Sequence, residues 1–330
     1  MLYFAIASLV ALIIVNGMTD APNAITCTVV TGSLSLRKAA ALAGVFNLVG
    51  CICSVILGGG VASFTFSLTG FAGYAKDSAS LVALTMGILS VVIWSLAAWY
   101  FGIPTSESHG MLAAVSGACC AYAVRFDIPL SEALSLKGWL GVALGLALST
   151  VPPFWFSRFF SRLSIISREK KRKRNASFYR HGQIACAALN ALLHGAQDGQ
   201  KFVGIGMVVL ALAGGKDKSV TMLAVAIPVA VLISLGTLLG GRRIIEQTGR
   251  ELVSLDLARG FCADLTSSFF LGISLAAGLP VSTTHAKTCA IMGAGRGINA
   301  SACTRLISAW LATFPVCFAV GFSLAYIALS

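Results

Sequence analysis

Asn16-Gly17-Met18-Thr19-Asp20-Ala21-Pro22-Asn23-Ala24 interrupts the first apolar run of this chain, and His194-Gly195-Ala196-Gln197-Asp198-Gly199-Gln200-Lys201 interrupts the sixth. A second kind of break follows later in each half, Gly102-Ile103-Pro104-Thr105-Ser106-Glu107-Ser108-His109 and then Gly278-Leu279-Pro280-Val281-Ser282-Thr283-Thr284-His285. Asp198 lies 178 residues after Asp20 (198 − 20), and Pro280 lies 176 after Pro104 (280 − 104). Two motifs of different kind recurring at nearly one period imply an internal repeat. With an odd number of crossings per half the second copy runs upside down, the inverted-topology arrangement of secondary transporters.

The setting of these breaks is lipid. Of the 330 residues 57% are hydrophobic and 11% charged, whereas soluble domains carry about a quarter charged residues. Apolar runs follow one another at Leu2–Val30, Ala39–Gly58, Leu81–Phe101, Met111–Val124 and Gly138–Phe156, and then at Ile184–Ala213, Val220–Gly240, Phe261–Ala277, Ala286–Gly295 and Arg305–Leu329. A crossing needs about 20 residues. Met111–Val124 and Ala286–Gly295 fall short of that and directly follow the Pro motifs, so they pair with re-entrant segments or half-helices. The fold class expected is therefore an all-α polytopic membrane protein of two inverted repeats, with broken helices, re-entrant hairpins and about ten crossings. Residues Met1–Val15 lack a basic start, which argues against a secretory signal peptide. The 10 cysteines lie mostly inside apolar runs, with no metal-type spacing, and read as small buried hydrophobes.

The net charge of +12 would suggest nucleic acid in a soluble protein, but here it marks topology. Arg158, Arg162, Arg168, Lys170, Lys171, Arg172, Lys173, Arg174 and Arg180 crowd the hydrophilic stretch Ser157–Gly182. By the positive-inside rule that stretch is cytoplasmic. Counting crossings outward puts Arg37, Lys38, Arg242, Arg243, Arg250, Arg259, Arg296 and Arg305 on the same side. Only Lys76, Arg125, Lys137, Lys216 and Lys218 face the other side. Both termini are then outside. The expected organisation is a first transmembrane repeat over 1–156, a basic cytoplasmic linker over 157–182 and a second, inverted repeat over 183–330.

Each break has a chemical reading. Gly and Pro stop helices and leave backbone groups unpaired, which lipid tolerates only beside a cavity or packed protein. Freed helix N-termini offer N–H donors and partial positive charge. The hydroxyls Thr105, Ser106 and Ser108 from one half and Ser282, Thr283 and Thr284 from the other add donors suited to a tetrahedral oxyanion. Asp20 and Asp198 would repel such an anion if bare. With amide oxygens beside them they suit a cation instead, and a cation between carboxylate and anion couples the two movements; protonation would do the same. Buried membrane acids are functional by default. Asp264 serves either ion coupling or a helix-pairing hydrogen bond. Glu107 is a gate, proton carrier or cap. His109 and His285 support the hairpins, donate to the anion or shuttle protons. Lys201 attracts the anion or pairs with Asp198.

At these motifs the chain resembles the inorganic phosphate transporter (PiT) family, bacterial type. Pro280-Val281-Ser282-Thr283-Thr284-His285 is similar to that family's P-[IV]-S-[ST]-[ST]-H motif. His194-Gly195-Ala196-Gln197-Asp198-Gly199-Gln200-Lys201 resembles its H-G-x-N-D-x-Q-K form, and Asp20-Ala21-Pro22-Asn23-Ala24 its D-x-x-N-A segment. The resemblance covers essentially the whole chain. It implies cation-coupled (Na⁺ or H⁺) uptake of inorganic phosphate across a bacterial cytoplasmic membrane, with no cofactor. It places Gln197 and Gln200 with the hydroxyls at the substrate, and Asp20, Asn23, Asp198 and Asp264 at the coupling ion. Asp20, Asn23 and Asp198 would be the ligands if that ion is Na⁺. The chain departs from the family at Thr19 and Gln197, which stand where Asn precedes the Asp. It departs also at Lys201 in place of a second Asn, at Glu107 in place of a hydroxyl, and at Gly110 after His109. The Thr and Gln replacements favour protons over Na⁺.

Three other readings compete. Some relatives of that family carry sulfate, so a sulfate or related oxyanion permease on the same scaffold is the main alternative. A membrane-embedded lipid-phosphate enzyme would need an interfacial cluster of Arg, His and nucleophile, which the sequence lacks. A channel would need a continuous polar stripe. The partners expected are the anion and the bilayer, with no nucleic acid; a homodimer is compatible with the sequence.

Overall fold

The computed structural model describes residues 1–57, 60–61, 68, 71, 78–103, 105–170, 175–213, 221–279 and 281–330, with 165–170, 175, 221 and 247 described in backbone only. Pro104, Pro280, Lys76, Lys216, Lys218 and the basic run 171–174 lie outside that set.

Among the described residues the chain is helical, with one isolated antiparallel bridge between Ser254 and Arg296. Helix α1 (Leu2–Thr19) ends at Asp20 and continues as a 3-10 turn (Ala21–Ile25) and a short α2 (Thr26–Val30). Then follow α3 (Leu36–Leu57), α4 (Ser78–Phe101), α5 (Glu107–Arg125), the single turn α6 (Leu130–Ala133) and α7 (Leu136–Lys170). The second half holds α8 (Asn175–Leu212), α9 (Thr221–Leu239), a short α10 (Arg242–Glu246) running into a π-type turn (Gln247–Glu251), α11 (Leu257–Ala276), α12 (Thr283–Ala294) and α13 (Ala300–Ala328). Among the described residues the ten apolar runs read from the sequence fall largely on these helices, the first of them spread over α1, the 3-10 turn and α2. Among the described residues six segments are long and apolar enough to cross a membrane: Leu2–Val30, Leu36–Ile56, Ser78–Phe101, Leu136–Ser164, Met222–Leu239 and Ala300–Ala328.

One expected break is absent. The sixth run is not interrupted at His194–Lys201, because α8 passes through it as one 38-residue helix. The difference from α1 lies two residues past each Asp. Pro22 there removes a backbone donor and stops the α-helix, whereas Gln200 keeps its N–H. The adjacent Gly199 is a contact residue: a Cβ on it would overlap Cys51 of α3. A glycine costs a helix about 1 kcal/mol, which packing readily offsets.

The two Pro motifs do break the chain, and they do so in the same way. Gly102 and Gly278 take left-handed φ of 66° and 65°. Ile103 N–H donates to Ala98 O (2.8 Å) and Gly102 N–H to Trp99 O (3.0 Å); Leu279 and Gly278 N–H donate likewise to Ser274 O (3.0 Å) and Leu275 O (3.1 Å). This is the glycine-terminated helix end in which two late N–H groups satisfy the last carbonyls. Each following helix starts on a serine cap, Ser106 Oγ accepting from His109 N–H (3.3 Å) and Ser282 Oγ from His285 N–H (3.1 Å). The caps pull Glu107-Ser108-His109 and Thr283-Thr284-His285 into first turns. So α5 grows to 19 residues, about 28 Å, and α12 remains at 12, about 18 Å.

Packing pairs the halves. Helix α5 packs on α4 and α13, and α12 on α11 and α7; α1 packs on α4 and α9, and α8 on α11 and α3. Glycines set the close crossings: a Cβ on Gly117 would overlap Phe318 backbone, and one on Gly293 would overlap Phe154 backbone. The hydrophilic stretch 157–182 is helical over its described residues, as the end of α7 and the start of α8. At 35 and 38 residues these helices reach about 52 and 57 Å, well beyond a hydrocarbon core of roughly 30 Å.

Candidate substrate and coupling-ion site

Four elements meet in the middle of the bundle: the broken end of α1, the uninterrupted middle of α8, and the N-termini of α5 and α12. Asp20 stands where Pro22 stops α1. Its Oδ1 accepts from Asn23 Nδ2 (3.0 Å) and from the Thr284 hydroxyl, and Asn23 Nδ2 also donates to Thr284 Oγ1 (3.1 Å). Thus the α1 break is sewn to the first turn of α12.

Asp198 is the mirror element on α8. Lys201, one turn on, places its ammonium 2.8 Å from Asp198 Oδ1, 2.7 Å from Ser108 Oγ and 2.8 Å from Val281 O. Ser108 Oγ itself lies 3.4 Å from Asp198 Oδ1. The other carboxylate oxygen has His194 Nε2 at 3.2 Å and Asn16 Nδ2 at 3.3 Å. His194 is held from behind by Asn47 (3.0 Å), which in turn receives support from Thr237 (3.2 Å). Suitable oxygen and nitrogen atoms of Asp20, His194 and Asp198 all lie within 4.8 Å of one another. All these side chains are buried. Removing a charge from water costs several kcal/mol unless it is paired, and Asp198 meets that requirement through Lys201 and His194.

The donors and acceptors left over define what the site can bind. Asp20 Oδ2, Asn23 Oδ1, both ends of the Gln197 amide and the Thr283 hydroxyl are buried without a hydrogen-bond partner among the described residues. So are both ring nitrogens of His109 and His285, whose rings lie 4.9 Å apart. His285 also packs edge-on to Trp310 at 3.8 Å, and His109 lies 4.8 Å from Phe314. Buried polar atoms are almost always satisfied, so this concentration marks a place for polar ligands. The N-termini of α5 and α12 turn their partial positive charge toward the same place. Acceptor oxygens around Asp20 suit a hard cation, and helix N-termini with hydroxyl, amide and ammonium donors suit an oxyanion.

The remaining sequence candidates are distributed as follows. Ser106 and Ser282 spend their lone pairs capping helices. Gln200 braces α3, accepting from Val61 N–H (2.8 Å) and donating to Ser54 O (3.4 Å). Thr105 lines a groove that it shares with Trp94 and Leu306. Glu107 accepts from the Thr19 hydroxyl, tying α5 to α1. Asp264 stands outside the Asp20–Asp198 group, in an ion pair with Lys287 whose ammonium also reaches Ala24 O (3.4 Å). Lys287, Asn16 and His194 had no assigned role in the sequence reading. Asn16 and His194 precede Asp20 and Asp198 by four residues each, a spacing that puts them on one helix face.

The model of the phosphate transporter family matches the chain over residues 16–175 and 163–321. A probable low-affinity inorganic phosphate transporter of Bacillus subtilis (strain 168) is 32% identical over 323 residues, covering 96% of this chain and 93% of the relative. One of Rhizobium meliloti (strain 1021) is 30% identical, with coverages of 91% and 88%. A solved structure described as "The sodium-dependent phosphate transporter" superposes with a TM-score of 0.77 at 18% identity, covering 99% of this chain and 98% of that one. That likeness establishes a shared fold.

Proposed function

Since the chain belongs to the phosphate transporter family, we propose that it is a cation-coupled symporter of inorganic phosphate in a bacterial cytoplasmic membrane. The observation that carries this reading is the meeting of two serine-capped helix N-termini over a buried Asp pair. Phosphate sits against the first turns of α5 and α12, taking donors from Thr283 and Gln197 beside the positive charge of Lys201. The coupling cation sits on Asp20 Oδ2 and Asn23 Oδ1. Those are acceptor atoms without partners, and an amide oxygen binds Na⁺ but takes no proton at neutral pH, so Na⁺ is the coupling ion. The sequence favours protons because Thr19 and Gln197 replace the shorter Asn amide, but Asn23 keeps one with a free oxygen beside Asp20. A Na⁺ between the Asp20 carboxylate and the anion removes their repulsion, which makes the two bind together.

Architecture supports the same reading. The glycine-and-serine break occurs once in each half, α4 to α5 and α11 to α12, and the helix contacts of one half have counterparts in the other. Two inverted repeats of five crossings, joined through 157–182, account for both, and rocking of one repeat group against the other alternately opens the site. The basic ends of α7 and α8 face the cytoplasm and both termini lie outside. The relatives are named for inorganic phosphate, so sulfate serves as the competitor in the test. Radiolabelled phosphate uptake into proteoliposomes is expected under an inward Na⁺ gradient, unaffected by sulfate. Uptake driven by a pH gradient alone would reject Na⁺ coupling, and accumulation of sulfate in place of phosphate would reject the substrate.

A further inference from the structure

A second polar pocket, of about 440 Å³, opens between Arg158, Ser161 and Arg162 of α7, Arg259 of α11 and the 293–298 turn that leads from α12 to α13. Arg296 of that turn completes a set of four guanidinium groups. The pocket meets α12 at its C-terminal end, whereas Thr283 and Thr284 belong to the N-terminal end, about 18 Å away along the helix. It is therefore separate from the site above.

Its walls are fixed. Arg296 is held by paired backbone hydrogen bonds with Ser254 (2.9 and 3.0 Å), and Asn299 N–H donates to Leu252 O (3.0 Å). Ser161 Oγ donates to Ala294 O (3.0 Å). Arg259, 8% exposed, sends one terminal nitrogen to Ala294 O and to Ser161 Oγ (3.3 Å). Its Nε is buried without a hydrogen-bond partner among the described residues, with Asp256 Oδ2 at 3.8 Å. Arg158 is half-buried, while Arg162 and Arg296 are exposed, and among the described residues none of these three has a carboxylate at ion-pair distance. Four guanidinium groups facing one cavity repel one another, and a single Asp at its edge leaves that charge largely unbalanced. Planar forks with several donors each match the oxygens of a phosphoryl group. Gly293 and Gly295 let the turn pack against Phe154 and Val253, and Gly297 lines the cavity with open space where a Cβ would stand.

We propose that this arginine pocket is a second anion site, which binds a phosphoryl group either as free inorganic phosphate or as the headgroup of an anionic phospholipid. The test uses full-length protein in nanodiscs and the variant Arg162→Gln/Arg296→Gln, which leaves the helix-capping Arg259 and the central site intact. One arm titrates inorganic phosphate in phosphatidylcholine nanodiscs and counts bound phosphate per chain. The other reconstitutes in mixed phosphatidylcholine and phosphatidylglycerol and counts retained phosphatidylglycerol by native mass spectrometry. A fall from two phosphates to one in the variant assigns the site to free phosphate. One phosphate in both proteins, with phosphatidylglycerol retained by the wild type and lost from the variant, assigns it to a headgroup. Equal phosphate and equal lipid in both proteins overturns the proposal. Gel filtration and uptake under the imposed gradient check that the variant is folded, and Arg158→Gln gives an independent variant should it not be.

Discussion

Lys201 offers the sharpest test of the central geometry. Its ammonium makes three contacts of 2.7–2.8 Å in a fully buried position, to Asp198, Ser108 and Val281 O. Lys201→Met keeps the length and volume of the side chain, so its cost comes from the groups left behind. Breaking one partner from a buried ion pair costs about 3–5 kcal/mol, chiefly because the remaining charge is stranded. His194 and Asn16 still serve Asp198 Oδ2, which puts the expected loss near the lower figure, about 3 kcal/mol. At an unfolding entropy of about 2.1 cal/mol/K per residue, or about 0.7 kcal/mol/K for 330 residues, the unfolding midpoint falls by roughly 4 °C. Asp198→Asn strands the ammonium instead and carries a similar penalty. The double variant, Asp198→Asn with Lys201→Met, strands neither charge. The cycle should then show a coupling energy of about 2–3 kcal/mol, the upper range for residues in contact. Thermal unfolding followed by gel filtration of the purified proteins reads the stability, and phosphate uptake reads function. The double variant should recover stability and remain inactive, because the anion has lost the ammonium charge beside it. Single penalties that add to the double within 0.5 kcal/mol would refute the pair.

Other outcomes follow from the same geometry. Asp20→Asn and Asp198→Asn should each abolish coupled uptake while leaving the protein inserted, as judged by membrane fractionation beside transport; wild-type rates would remove either residue from coupling. Thr284→Val should lower apparent Na⁺ affinity by about tenfold, the worth of one charge-assisted hydrogen bond of roughly 1.5 kcal/mol, and Thr284→Ser should restore it in a Na⁺-titrated uptake assay. Gly195→Ala would drive a methyl into the Asn47 backbone, so α8 must part from α3 and the folded yield should collapse. Gly32→Ala meets nothing within 4 Å but has φ +73°, so it should cost only about 1 kcal/mol and leave uptake unchanged.

Much of this protein is written locally. Apolar runs long enough for lipid, separated by charge, determined that it is a helical membrane protein, because lipid forces every backbone group to be satisfied within its own helix. The Gly–Pro–Ser–His motifs determined where two of the breaks fall and which hydroxyls begin the next helices. Both effects depend on residues within one turn of each other. The sequence misread the sixth run for the opposite reason: whether α8 breaks at Asp198 depends on α3 closing over Gly199 and Gly195, contacts from residues more than 140 positions away. The same holds for the side chains. Ser106 and Ser282 look like Ser108 and Thr284 on paper, yet the first two cap helices while the others touch the carboxylates. Lys287 claims Asp264, and Gln200 braces α3 while its near neighbour Gln197 keeps both amide atoms unpaired. Composition and spacing determine which groups are buried. Only the tertiary packing decides which of them find partners within the protein and which are left for an anion and a cation, because hydrogen bonds form between atoms that meet in space, whatever their distance along the chain.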